Sequence, residues 1–196
     1  YRMAVDAGIA MTPCRLFEEN GRRHFMTKRF DRLDGGGKLH MQSLCGIAHY
    51  DFNQAGGYGY EQALQVIRPL GMPMAATLEQ FRRMVFNIVA RNQDDHVKNI
   101  AFLMDRSGNW SLSPAFDLTY SYQPSGKWTS SHQMTLNGKR DGFTLADFKA
   151  CARSASMKRG LPETIMNEVR DVVARWRDYA DESRVHPEQR DKIQAA

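Results

Sequence analysis

Asn92-Gln93-Asp94-Asp95-His96-Val97-Lys98-Asn99 is the stretch on which the reading of this chain turns. Seven of its eight side chains are polar, and only Val97 is apolar. Before it, Phe81, Met84, Val85, Ile88 and Val89 fall at the spacing of one helical face. After it, Ile100 to Met104 is a short apolar run that predicts a strand. A polar loop held between two buried elements is fixed at both ends, which suits a catalytic or binding site.

The pattern can be followed outward from that loop. Thr77 with Gln80 three residues on predicts a capped helix start for the apolar stripe. Upstream lie a short opening helix and two strands, Cys14 to Glu19 and His24 to Phe30, joined at Asn20-Gly21, a pair that tolerates positive φ. Gly35-Gly36-Gly37 marks a loop, a helical pattern starts at Gln42, and Tyr60 to Leu70 predicts another helix closed by Gly71 and Pro73. Downstream, Ser107-Gly108-Asn109 returns the strand into Trp110 to Leu112, and Ser113-Pro114 ends that hairpin before Asp117. Strand signals around Gln133 to Leu136 are weak. Leu145 to Met157 and Pro162 to Tyr179 predict the last helices, and the residues after Asp181 read as a polar, fraying tail. The expected fold is α+β and mostly helical, one lobe over residues 1–181 with two small β-hairpins, followed by the tail at 182–196.

Composition narrows the function classes. The chain has 196 residues, 42% hydrophobic and 25% charged, with a formal net charge of +5. No apolar run approaches the roughly 20 residues that cross a bilayer, and no signal-peptide order opens the chain. Cys14, Cys45 and Cys151 are far apart and odd in number, which excludes a disulfide framework and fits a reducing, cytoplasmic setting. The basic residues are scattered rather than clustered with aromatics, which argues against direct nucleic-acid binding.

Within the polar stretch Asp94 and Asn99 are five residues apart, and Asp117 follows eighteen residues later, beyond the predicted hairpin. Phosphoryl transfer needs one carboxylate to orient the attacking hydroxyl and take its proton, and oxygen ligands to hold Mg²⁺ on the phosphates. The spacing suits that task. Asp and Asn are equally at home in turns, where they bond their own backbone. His96 fits a structural histidine or a catalyst, and Lys98 a phosphate contact or a counter-charge to Asp94 and Asp95. A metal-dependent phosphohydrolase using Asp94, Asp95, His96 and Asp117 is a second enzyme reading, although the other histidines show no ligand spacing. A non-catalytic docking or regulatory lobe is a third.

Asp94-Asp95-His96-Val97-Lys98-Asn99 resembles the D-x-H-x-K-N signature of HipA-like kinases, and the D-R-H-x-x-N loop of the related phosphatidylinositol kinases. Ser113-Pro114-Ala115-Phe116-Asp117-Leu118 resembles that family's SPAYDL segment, and Arg29-Phe30-Asp31-Arg32 its ERFDR hinge. The resemblance implies the C-terminal lobe of a protein serine/threonine kinase, the toxin of a bacterial toxin–antitoxin pair, using ATP and Mg²⁺. It implies Asp94 as general base, Asn99 and Asp117 as metal ligands, and His96 and Lys98 as supports of the loop or the phosphates. It places Lys28 and Phe30 along the adenine, with Gln42 near the ribose. Lys28 stands where the family often has Glu, and Gln42-Ser43 where it often has an acidic pair. The family's phosphate-covering loop and ATP-binding lysine belong before the opening helix, so these residues by themselves are expected to transfer phosphate poorly. The implied partners are a protein substrate, for which the family points to an aminoacyl-tRNA synthetase, and a DNA-binding antitoxin.

Overall fold

The computed structural model describes residues 1–196. In chain order the elements are α1 (Arg2–Asp6), β1 (Cys14–Glu19), β2 (Arg22–Thr27), β3 (His40–Ser43), α2 (Leu44–Ile47), α3 (Tyr60–Ile67), α4 (Met74–Val89), β4 (Ala101–Met104), β5 (Trp110–Leu112), α5 (Leu145–Ser154), α6 (Leu161–Val173), α7 (Trp176–Glu182) and α8 (Pro187–Gln194). The architecture is α+β, a mixture of helices and small antiparallel sheets, with helix the larger share.

Helix α4 is the axis of the lobe. Phe81, Met84 and Val85 are fully buried, and α4 packs against both α3 and α6. Helix α3 presents Tyr60, Ala63, Leu64 and Ile67 to the same core, the i, i+3, i+4, i+7 spacing of one buried face. The polar side chains of α4 are buried as well, among them Thr77, Gln80, Arg83 and Asn87. The helix is thus enclosed on nearly every side.

Strands β1 and β2 form a separate two-stranded sheet in register from Cys14↔Thr27 to Glu19↔Arg22. Asn20 (φ 50°) and Gly21 (φ 71°) make the tight turn that positive φ at both positions requires. Strands β3, β4 and β5 form the second sheet, with His40 opposite Met104 and Ser43 opposite Ala101. Its distal turn is held by the Asp105 carboxylate, which accepts from the amides of Ser107 and Asn109.

Several elements differ from the sequence reading. Residues 40–43 are strand, and the helix expected from Gln42 is the single turn α2, capped by Ser43 Oγ accepting from the Gly46 amide. Pairing with β4, some sixty residues away in the chain, overrides the local pattern. Helix α4 begins at Met74 behind Pro73, so Thr77 lies inside it rather than at its cap. The second strand of the first hairpin ends at Thr27, which leaves Lys28 to Phe30 beyond the sheet. The expected helix from Pro162 to Tyr179 divides at Ala174–Arg175 into α6 and α7. Residues 187–194 form α8, held by the Trp176 indole donating to the Arg190 carbonyl and by Arg190 paired with Asp181 and Asp191. Within residues 133–136 only Thr135 and Leu136 form isolated bridges, to Gly59 and Lys139. No helix is long and apolar enough to cross a membrane.

Candidate active site

Helix α4 ends in a reversal that launches the 92–99 loop. Val89 is the last helical residue, Ala90 caps the helix, and Arg91 takes the left-handed conformation (φ 53°). The Asn92 amide reaches back to the Asn87 carbonyl (2.8 Å) and the Arg91 amide to Ile88 (3.4 Å), the paired bonds of a Schellman ending. Arginine rather than glycine occupies the strained position, and its guanidinium lies 4.4 Å from the centre of the Tyr122 ring.

Asn92 then ties three segments together. Its Nδ2 donates to Asn87 Oδ1 (3.0 Å) and to the Asp117 carbonyl (3.2 Å), while its Oδ1 accepts from Ser121 Oγ (3.1 Å). Ser121 Oγ in turn accepts from the Asp94 amide (3.0 Å). The loop and the segment after β5 are therefore joined by a continuous set of hydrogen bonds.

Asp95 points into the core. Its Oδ2 accepts from the Tyr60 hydroxyl (2.6 Å) and His132 Nδ1 (2.8 Å), and its Oδ1 accepts from the Gln133 amide (2.7 Å). Tyr60 also accepts from Asn87 Nδ2 (3.1 Å), which closes the circuit back to Asn92. Burial, reinforced by the adjacent Asp95 carboxylate, pushes the Tyr60 phenol well above its ordinary pKa and keeps it a neutral donor. Sequence reasoning missed this network. Asp95 figures there only as a hydrolase ligand or a charge offset by Lys98, and its donors come from positions 60, 132 and 133, which no local spacing connects.

Asp94 faces outward. Its side chain is 47% exposed, with His96 Nε2 3.9 Å from its Oδ1. Its carbonyl accepts from Asn99 Nδ2 (2.9 Å), and the Asn99 amide donates to the His96 carbonyl (2.9 Å). With Nδ2 engaged, the Asn99 side chain presents Oδ1, an oxygen of the hard type that Mg²⁺ prefers. His96 Nδ1 is buried without a partner. Lys98 Nζ lies 3.1 Å from the centre of the Phe52 ring, whose edge approaches His96.

Asp117 is exposed and left-handed (φ 56°), a conformation that aspartate tolerates better than most residues. The segment before it is fixed by the Ala115 amide donating to the Ala10 carbonyl (2.8 Å) and by Ser113 pairing to Ala101. Phe116 packs on Phe30, ring centres 5.5 Å apart, so the hinge and the Asp117 segment meet. At the hinge the nearly buried Asp31 accepts a bidentate pair from Arg29 (2.8 and 2.6 Å) and a third bond from Arg32 (2.7 Å). The Arg29 hydrogen bond is the main cause that holds the Asp31 carboxyl below its usual range. The Lys28 amide bonds to the Pro13 carbonyl and its Nζ to Asp34, while the Arg29 and Phe30 amides have no acceptor within the chain. Gln42 lies in β3, its side chain across Gly46. The structure thus brings Asp94, His96, Lys98 and Asn99 into one loop, ties Asp117 to it through Asn92, and sets Phe30 against Phe116.

No group of three or more His, Cys, Asp and Glu side chains converges as a hydrolase metal centre requires, and Asp95 is committed to the core. The oxygen donors on Asn99 and Asp117 match Mg²⁺ in kind.

Comparison with known proteins gives the family and the fold. Residues 1–176 match the model of the HipA-like C-terminal domain. The chain is 27% identical over 126 residues to "Putative kinase Y4mE" of Sinorhizobium fredii, covering 60% of this chain and 30% of that protein. The fold superposes with a TM-score of 0.73 on HipA of Shewanella oneidensis MR-1, solved in a toxin–antitoxin complex with HipB and operator DNA; identity is 18%, over 86% of this chain and 44% of that one. The chain spans less than half the length of these relatives. It belongs to the HipA-like C-terminal domain family, and its fold is the kinase-like one of HipA.

Proposed function

We propose that this lobe serves an ATP- and Mg²⁺-dependent protein serine/threonine kinase acting as the toxin of a toxin–antitoxin pair. The observation that carries the reading is the Asn99 side-chain amide donating from Nδ2 to the Asp94 carbonyl. One short loop thereby presents an outward carboxylate and an amide oxygen in a fixed relation, and Asn92 ties Asp117 to both.

In this reading Asp94 orients the hydroxyl of the substrate serine or threonine and accepts its proton. Asn99 Oδ1 and the Asp117 carboxylate would hold Mg²⁺, which would neutralise charge on the ATP phosphates. His96 and Lys98 support the loop, Lys98 through its seat on Phe52. The Arg29 and Phe30 amides supply donors for the adenine edge, with the Phe30 ring as apolar surface. Gln42 stands toward the ribose. The protein substrate is of the aminoacyl-tRNA synthetase class, and the partner is a DNA-binding antitoxin like the one in the HipA complex.

The test is transfer of labelled γ-phosphate from ATP to protein by the full-length protein. Asp94→Asn is expected to lower turnover by about 10²- to 10⁴-fold, the usual worth of a positioned general base. Asp117→Asn should abolish transfer. Undiminished labelling by Asp94→Asn removes it from that role, and release of free phosphate without protein labelling favours a hydrolase.

A further inference from the structure

Ser121 lies four residues after Asp117, in a stretch that belongs to no helix or strand. Serine in such stretches usually bonds backbone close by in the chain. Here both partners of the hydroxyl are remote: the Asp94 amide, 27 residues back (3.0 Å), and Asn92 Oδ1, 29 residues back (3.1 Å). The Ser121 amide donates to the Arg91 carbonyl as well (3.1 Å). Together with Asn92 Nδ2 on the Asp117 carbonyl, these bonds fasten residues 117–121 to residues 91–94.

The direction of each bond is forced. A backbone amide only donates, and an ionised carboxylate only accepts. Asp95 Oδ2 therefore takes the Tyr60 proton, Tyr60 accepts from Asn87 Nδ2, and Asn87 Oδ1 accepts from Asn92 Nδ2. Asn92 Oδ1 is left to accept the Ser121 proton, and a Ser121 lone pair to accept the Asp94 amide. The chain runs one way, from the backbone of Asp94 to the side chain of Asp95. Bonds aligned head to tail polarise and strengthen one another. Ser121 is the link next to Asp94, and the one carried by the segment that bears Asp117.

We infer that Ser121 is a positioning residue for phosphate transfer: its hydroxyl holds the backbone of Asp94 in a fixed relation to the Asp117 segment. Asp94 has to meet the substrate hydroxyl and Asp117 the metal, so a slip of one against the other separates the reacting groups. The hydroxyl is needed both as donor and as acceptor, which no apolar side chain of its size supplies. The role in turnover rests on the function proposed above, whereas the hold on the Asp94 amide does not.

The test compares wild type, Ser121→Ala and Ser121→Thr in the full-length protein, by steady-state transfer of γ-phosphate and by hydrogen exchange at the Asp94 amide. Ser121→Ala should lower kcat by about 10²-fold, the scale of a misplaced reacting group, with KM for ATP unchanged. A loss confined to kcat marks an interaction that acts in the transition state, and an unchanged thermal midpoint separates it from unfolding. Ser121→Thr keeps the hydroxyl and should restore most of the rate. The Asp94 amide should exchange about tenfold faster in Ser121→Ala, the scale of one net hydrogen bond, while the amides of α4 keep their wild-type rates. If Ser121→Ala does not fold, Ser121→Cys gives the same reading with a weak donor of similar size. Wild-type kcat in Ser121→Ala, or a loss that Ser121→Thr does not reverse, overturns the assignment. So does unchanged exchange at Asp94. A wild type that transfers no phosphate removes the proposed activity, and exchange at Asp94 then decides by itself whether Ser121 holds the loop.

Discussion

Asp94 and Asp95 are neighbours in the chain, yet the first has a half-exposed side chain with no close hydrogen-bond donor. The second is wholly enclosed and accepts three hydrogen bonds. On the function proposed above, the difference is one of division of labour. A carboxylate that must meet a substrate has to keep its lone pairs free, and a free carboxylate cannot hold its own backbone in place. The adjacent buried aspartate does the holding. Asp95 locks the loop to α3 through Tyr60 and to the 132–133 segment, and Asp94 is aimed as a result.

The contrast can be broken at its strongest point with alanine. Asp95→Ala strands the Tyr60 hydroxyl and the Gln133 amide, and is expected to destabilise the fold by about 3 to 5 kcal/mol. Asp94→Ala should stay within about 0.5 kcal/mol, because only an exposed side chain is lost. Urea unfolding of the two variants side by side measures the gap, and equal destabilisation would erase the distinction. A finer cut is Tyr60→Phe, which removes one of three donors to Asp95 and the acceptor of Asn87. Its expected cost is about 1 to 2 kcal/mol, read from the same unfolding curves.

The smallest effect comes from a third aspartate, enclosed like Asp95 but paired with a cation. Asp147 accepts from Asn137 Nδ2, Lys139 Nζ, and the Thr144 amide and hydroxyl. These bonds, Asn137 first and Lys139 next, hold its carboxyl well below the ordinary value. A depressed folded-state pKa gives stability that is present above the unfolded value of about 3.9 and is lost as pH falls below it. The thermal midpoint should therefore drop on acidification below about pH 4. Asp147→Asn should flatten that part of the profile while lowering the midpoint at neutral pH.

What was legible in the sequence follows the range of the forces involved. The β1–β2 hairpin was readable because Asn20-Gly21 sets its own φ values. The buried stripe of α4 was readable from its period, and the Asp94, Asn99 and Asp117 spacing placed two residues in one loop and the third tied to it. Strand β3 was not readable, since it exists only by pairing with residues 101–104. The capping pattern at Thr77 and Gln80 misled, because helix α4 was already under way from Met74. Asp95 was undervalued for the same reason as β3, its partners being 35 to 38 residues distant on either side.

That remoteness has a consequence for how the protein is made. His132 lies thirty-seven residues beyond Asp95. At about 5 to 20 residues per second of synthesis, the clamp on the loop trails the loop itself by roughly 2 to 7 seconds. A nascent chain thus carries every side chain of the candidate site before it carries the means to arrange them. A ribosome that stalls before residue 132 leaves a product with the full motif but without the His132 and Gln133 donors that help hold Asp95.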